Sequence, residues 1–102
     1  DPLCSKSNII ISQSPTTKLP SGIPSYLVEI TSTCQNGECS NIHVDCGQFS
    51  YANLVNPKIF RRLAYNDCIV NNGKPLAKGD TISFQCANTF SYPLSVTSAT
   101  CN

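Results

Sequence analysis

The sequence has no methionine and no tryptophan, and only 13% of its 102 residues are charged, roughly half the usual share. Its net charge is +1, which removes any general electrostatic case for nucleic acid or an anionic membrane. No apolar run approaches the roughly 18 residues of a membrane-spanning helix, so the chain is not expected to be membrane-embedded. No Asn-x-Ser/Thr acceptor occurs, and no N-glycan is expected. No CxxC pair is present and His43 stands alone, so a zinc-finger spacing cannot be completed and no metal is expected. A phosphate loop, a G-x-S-x-G elbow and a close pair of carboxylates are all missing. The expectation is a protein that is not an enzyme and uses no cofactor. No signal peptide precedes Asp1-Pro2, so the chain reads as a mature or truncated form.

What the chain does have is cysteine. Seven are spread along its length, at positions 4, 34, 39, 46, 68, 86 and 101. Without metal spacing, they read as a disulfide framework in an oxidising compartment, which implies secretion.

Between the cysteines the pattern is that of short strands. "NIIIS" (8–12) is β-branched, and "YLVEITST" (26–33) puts Tyr26, Val28 and Ile30 on one face. "IHVDC" (42–46) turns Ile42, Val44 and Cys46 inward and His43 and Asp45 outward. Further strands are expected over 59–65, with 68–70 as a candidate extension, and over 81–86 and 94–101. Residues 14–25 and 71–80, rich in proline and glycine, read as loops. No stretch sustains a helical period; Pro57 interrupts the one place where a turn of helix could form. The expectation is one all-β domain over residues 1–102. It would be an antiparallel β-sandwich of about six to eight short strands, cross-linked by about three disulfides.

Asn36-Gly37 is a strong hairpin signal and suggests that 26–33 pairs with 42–46. Cys34 and Cys39 would then face each other across the tip. A Cys34–Cys46 bridge would have to span roughly 13 Å along the strand and is disfavoured. If the last strand pairs with 81–86, Cys68–Cys101 follows, leaving Cys4–Cys46; the alternative is Cys4–Cys34. Sequence alone does not choose among the fifteen or so connectivities that six cysteines permit. Cys86 is the odd one, read as a buried free thiol, with an intermolecular bridge as the alternative.

Basic residues concentrate in "LVNPKIFRRLAYNDC" (54–68), which holds Lys58, Arg61 and Arg62 beside Asn56 and Tyr65. One reading is an ordinary strand entry, with Asn56-Pro57 setting an extended start. The other is a recognition edge made of Asn56, Lys58, Arg61, Arg62 and Tyr65, because the arginine fork pairs bidentately with carboxylates. Adjacent arginines point to opposite faces of a strand, so one of the two could instead organise the fold against Asp67 or Asp45. His43 reads as a surface histidine able to titrate in a mildly acidic medium. Tyr51, Phe90 and Tyr92 could form a sugar-stacking platform for a cell-wall polysaccharide, the alternative function.

Read together, "CSK", "LPSGIPSYLVEI", "IHVDCG", "CGQFS", "LVNPKIFRRLAYNDC", "VNNGKPL" and "ISFQCANTFSYPLSV" resemble the tapetum determinant family of small secreted plant proteins. The likeness covers nearly the whole chain and includes the order and spacing of six cysteines. It implies a secreted, apoplastic protein ligand perceived by the ectodomain of a leucine-rich-repeat receptor kinase in cell-fate signalling.

Overall fold

The computed structural model describes residues 4–16, 22, 24–47, 55–87 and 93–102, and the side chains of all these except 86 and 87. It is an antiparallel β-sandwich. The strands are β1 (Ile9–Pro15), β2 (Ser25–Ser32), β3 (Glu38–Asp45), β4 (Phe60–Ala64), β5 (Asp67–Val70), β6 (Leu76–Ala77), β7 (Thr81–Ala87) and β8 (Ser95–Cys101). Single 3-10 turns lie at Lys6–Asn8 and Asn71–Gly73.

The first sheet has the order β1-β2-β7. Its register is unbroken: Ile30 pairs with Ile11 on one side and Ile82 on the other. The alternation in β2 sends Val28 and Ile30 to the interior, where both are fully buried, as the period of two requires. The second sheet is built around β3. Cys39 pairs with Leu76 and with Cys101, and His43 pairs with Ile69 and with Ser98. A strand has only two edges, so β8 runs along one side of β3, β5 and β6 along the other, and β4 lies beyond β5. Ile42, Val44, Phe60 and Val70 fill this sheet's inner face. Phe60 and Phe84 join the two sheets as stacked rings with centroids 4.7 Å apart, an arrangement that adds to simple area burial.

Asn41 has φ 49° and marks a bulge, with register shifts between Ser40 and His43. The extra residue exchanges the faces, so Cys39 and Ile42, three apart, both point inward.

The expected hairpin of 26–33 with 42–46 does not form. β2 and β3 lie in different sheets; both edges of β2 are already taken by β1 and β7, so the chain crosses over at Asn36-Gly37. Gly37 is needed there for a close approach: a Cβ at this position would collide with the main-chain carbonyl of Asn102. The last strand likewise pairs with β3, not with 81–86. Residues 68–70 belong to a separate strand, β5, which folds back on β4.

These differences rewrite the covalent framework. The disulfides are Cys4–Cys34, Cys39–Cys101 and Cys46–Cys68, with Cα separations of 5.4, 4.1 and 6.0 Å. Cys34–Cys39, Cys68–Cys101 and Cys4–Cys46 are therefore replaced, and the alternative Cys4–Cys34 is the one found. Cys39 and Cys101 are register partners across β3 and β8, a relation that only the sheet topology creates. Cys86 lies opposite Tyr26 in β7, and its side chain is outside the described set.

Candidate functional site

The basic stretch begins with a turn. Asn56 Oδ1 accepts from the Lys58 main-chain N–H at 2.9 Å, and the Asn56 carbonyl accepts from Ile59 and Phe60. Asn56 is thus occupied in building the entry to β4, an Asx turn of the kind this residue favours. The turn leaves Lys58 exposed and delivers Phe60 to the core as an anchor. Beyond Phe60 every residue from 61 to 66 is exposed, including Leu63 at 46% and Tyr65 at 64%.

The two arginines, though both exposed, are used differently. Arg62 folds back on the main chain: Nη1 donates to the Gly47 carbonyl at 2.9 Å and also to that of Tyr65, and Nη2 donates to the Cys46 carbonyl at 3.4 Å. It clamps the end of β3 to the β4–β5 turn beside the Cys46–Cys68 disulfide. Its partners among the described residues include these three carbonyls, and neither Asp67 nor Asp45 is among them. Among the described residues Arg61 makes one side-chain bond, from Nη1 to Asn72 Oδ1 at 2.8 Å. Asn72 sits in a left-handed turn, with φ 55°, beside Gly73 at 81°, a conformation these residue types tolerate. A neutral amide therefore orients the Arg61 guanidinium without neutralising it. A guanidinium has five donors, and the bond to Asn72 uses one of them.

Asp67 pairs with His43, whose Nδ1 lies 2.6 Å from Asp67 Oδ1 across β3 and β5. Asp45 caps its own turn by accepting from the Gly47 N–H at 3.3 Å. Arg61, Ile69 and His43 form one transverse row, because Ile69 is the register partner of both others. The outer face of the second sheet thus brings Arg61, His43 and Asp67 together, with exposed Leu63 and Tyr65 at its rim. Leu63, Asn72 and the His43–Asp67 pair escape a reading of the sequence, since each depends on which strands are neighbours. A periodicity of two starting at Arg61 could have drawn attention to Leu63.

A shallow cleft of about 280 Å³ opens where β1 meets β8, floored by Ile9, Ile11, Leu94 and Val96, with Lys6 at its mouth. Tyr51, Phe90 and Tyr92, the sugar-stacking candidates, lie outside the described residues. Among the described residues no three His, Cys, Asp or Glu side chains gather as a metal site, and no helix is long and apolar enough to cross a membrane.

A family model described as "Tapetum determinant 1, C-terminal" matches residues 5–102. TPD1 protein homolog 1 of Arabidopsis thaliana is 56% identical over 100 residues, covering 96% of this chain and 55% of that protein. TPD1 protein homolog 1A of Oryza sativa subsp. japonica is 48% identical over 101 residues, covering 92% and 45%. TPD1 protein homolog 1B of the same rice is 42% identical over 98 residues, covering 96% and 58%. The chain spans about half the length of these curated relatives. No solved structure matches it.

Proposed function

The chain belongs to the tapetum determinant 1 family, and from that premise we propose that it is a secreted, non-enzymatic protein ligand of the plant apoplast, perceived by the ectodomain of a leucine-rich-repeat receptor kinase in developmental signalling. The observation that carries the reading is the family likeness, which runs through almost the entire chain. The disulfide framework supports it as well, since such cross-links persist in oxidising compartments.

Such a ligand works by presenting a preformed surface, so that little conformational entropy is lost on binding. The proposed contact is the β4 region: Lys58, Arg61 and Tyr65, joined by Leu63. Arg62 and Asn56 belong to the same surface but act mainly by shaping it, through the carbonyl clamp and the turn. The concave face of a leucine-rich-repeat solenoid is an extended surface suited to a compact β-domain.

The test is a binding titration against a panel of leucine-rich-repeat receptor-kinase ectodomains, run beside a panel of wall polysaccharides. Submicromolar binding to one ectodomain is expected. Binding to polysaccharide alone would overturn the signalling role.

A further inference from the structure

On the outer face of the second sheet Arg61 is in contact with no countercharge among the described residues, and next to it lies a carboxylate whose charge a histidine can cancel. Arg61 is held by the neutral Asn72. Asp67, on the adjacent strand, is bonded to His43 at 2.6 Å. His43 is 28% exposed and Asp67 41%, so both are open to protons and near any partner seated on this face. We propose that the His43–Asp67 pair tunes the affinity of this face for a carboxylate-bearing protein partner, tightening binding as the medium acidifies.

The proposal rests on the ligand reading above and adds its regulation. Two strand spacings, roughly 10 Å, separate the backbones of Arg61 and His43, with β5 and its Asp67 between them. While the imidazole is neutral, Asp67 keeps its negative charge and competes with a partner carboxylate for the field of Arg61. Once the imidazole takes up a proton, the pair is neutral as a unit and the face gains one positive charge. Histidine is the side chain that makes this change between about pH 5 and 8.

Few other charges surround the pair. The β8 residues beside His43, Thr97 and Ser98, are uncharged; Thr97 donates its hydroxyl to the His43 carbonyl, and its own carbonyl accepts from the Lys6 ammonium at 3.3 Å, which adds a second positive charge nearby. Asp45, further along β3, is engaged with the Gly47 N–H. From β4 the facing charge is Arg61 itself, and from β5 it is Asp67. One unit charge acting over about 10 Å, at effective dielectric constants from about 25 up to that of water, changes affinity by about two- to tenfold. Salt weakens the effect, because this distance is close to the screening length at physiological ionic strength.

The deciding experiment has two arms. In the free protein, the His43 ring resonances are followed from pH 5 to 8 by NMR together with the side-chain signals of Asp67 and Arg61. Coupled movement is expected; His43 shifts that leave Asp67 and Arg61 unmoved would overturn the device whether or not a receptor is found. In the second arm, the ectodomain that binds in the panel is titrated at pH 5.0 and 7.5 with the wild type, His43→Gln and Asp67→Asn. Binding of the wild type should tighten about two- to tenfold at the lower pH. His43→Gln, which keeps a donor but cannot gain charge, should flatten that ratio. Asp67→Asn should bind at pH 7.5 about as tightly as the wild type does at pH 5.0. A His43→Gln ratio equal to that of the wild type would refute the proposal. Should no ectodomain bind at all, the ligand reading fails, and the NMR arm alone decides whether the face changes charge.

Discussion

The two sheets are made of similar alternating strands but are held together in different ways. The first sheet is a regular ladder. β2 pairs residue by residue with β1 and β7 without a register shift, and among the described residues one disulfide, Cys4–Cys34, ties the lead-in of β1 to the exit of β2. The second sheet is broken by shifts in β3–β8 and β4–β5, and three asparagines, Asn41, Asn71 and Asn72, take positive φ in or beside it. It also carries two disulfides, Cys39–Cys101 and Cys46–Cys68. The irregularities place Arg61, His43, Asp67 and Tyr65, while the cross-links and the Arg62 clamp fix what the broken ladder leaves loose. Covalent and polar reinforcement is concentrated where the candidate surface lies.

The largest effect that could break this comparison is removal of a disulfide. Cys39–Cys101 closes a separation of 62 residues, for which the chain-entropy model gives about 4 kcal/mol. The Cys39→Ala/Cys101→Ala variant should therefore lose about that much in urea unfolding. Its loss should exceed that of the Cys4→Ala/Cys34→Ala variant, whose separation is 30. The reverse order would mean that the regular sheet depends more on its staple than the broken one does.

An intermediate effect separates the arginines. Arg62→Ala strands three carbonyl acceptors and should cost about 1–2 kcal/mol, within the range for hydrogen bonds to a charged group at a partly exposed site. Arg61→Ala should stay within about 0.5 kcal/mol of the wild type, as surface changes usually do. Equal losses in chemical denaturation would remove the distinction between a clamp and a presented cation. The smallest effect belongs to the first sheet. Thr31 and Thr81 share a hydroxyl hydrogen bond of 2.9 Å on the exposed face, and Thr31→Val should shift stability by about 0.5 kcal/mol or less. A larger loss would show that the regular ladder also relies on outward polar links.

How much of this was legible in the sequence depends on the range over which each signal acts. The alternation at Val28 and Ile30, and at Ile42, Val44 and Cys46, is local, and it gave the strands, their faces and the sandwich. Asn36-Gly37 is local too, but it misled. In the folded chain Gly37 serves a contact with Asn102, and nothing nearby in the sequence marks that. The disulfides follow from strand neighbours, so Cys39–Cys101 was out of reach until β8 was known to lie beside β3. The clamp made by Arg62 is hidden because the Cys46, Gly47 and Tyr65 groups it holds are main-chain carbonyls, which leave no trace in side-chain identity. His43 and Asp67 lie 24 residues apart in the sequence, and only the β3–β5 register joins them.

We propose that Arg61 is presented to a partner while its neighbour Arg62 holds the fold together. The measurement that meets it most directly is the affinity of Arg61→Ala for the ectodomain that binds the wild type, taken with the urea midpoint of the same preparation. At least a tenfold loss of affinity, about 1.4 kcal/mol, is expected, with the midpoint unchanged. Unchanged affinity, or a loss accompanied by an equal fall in stability, would contradict it.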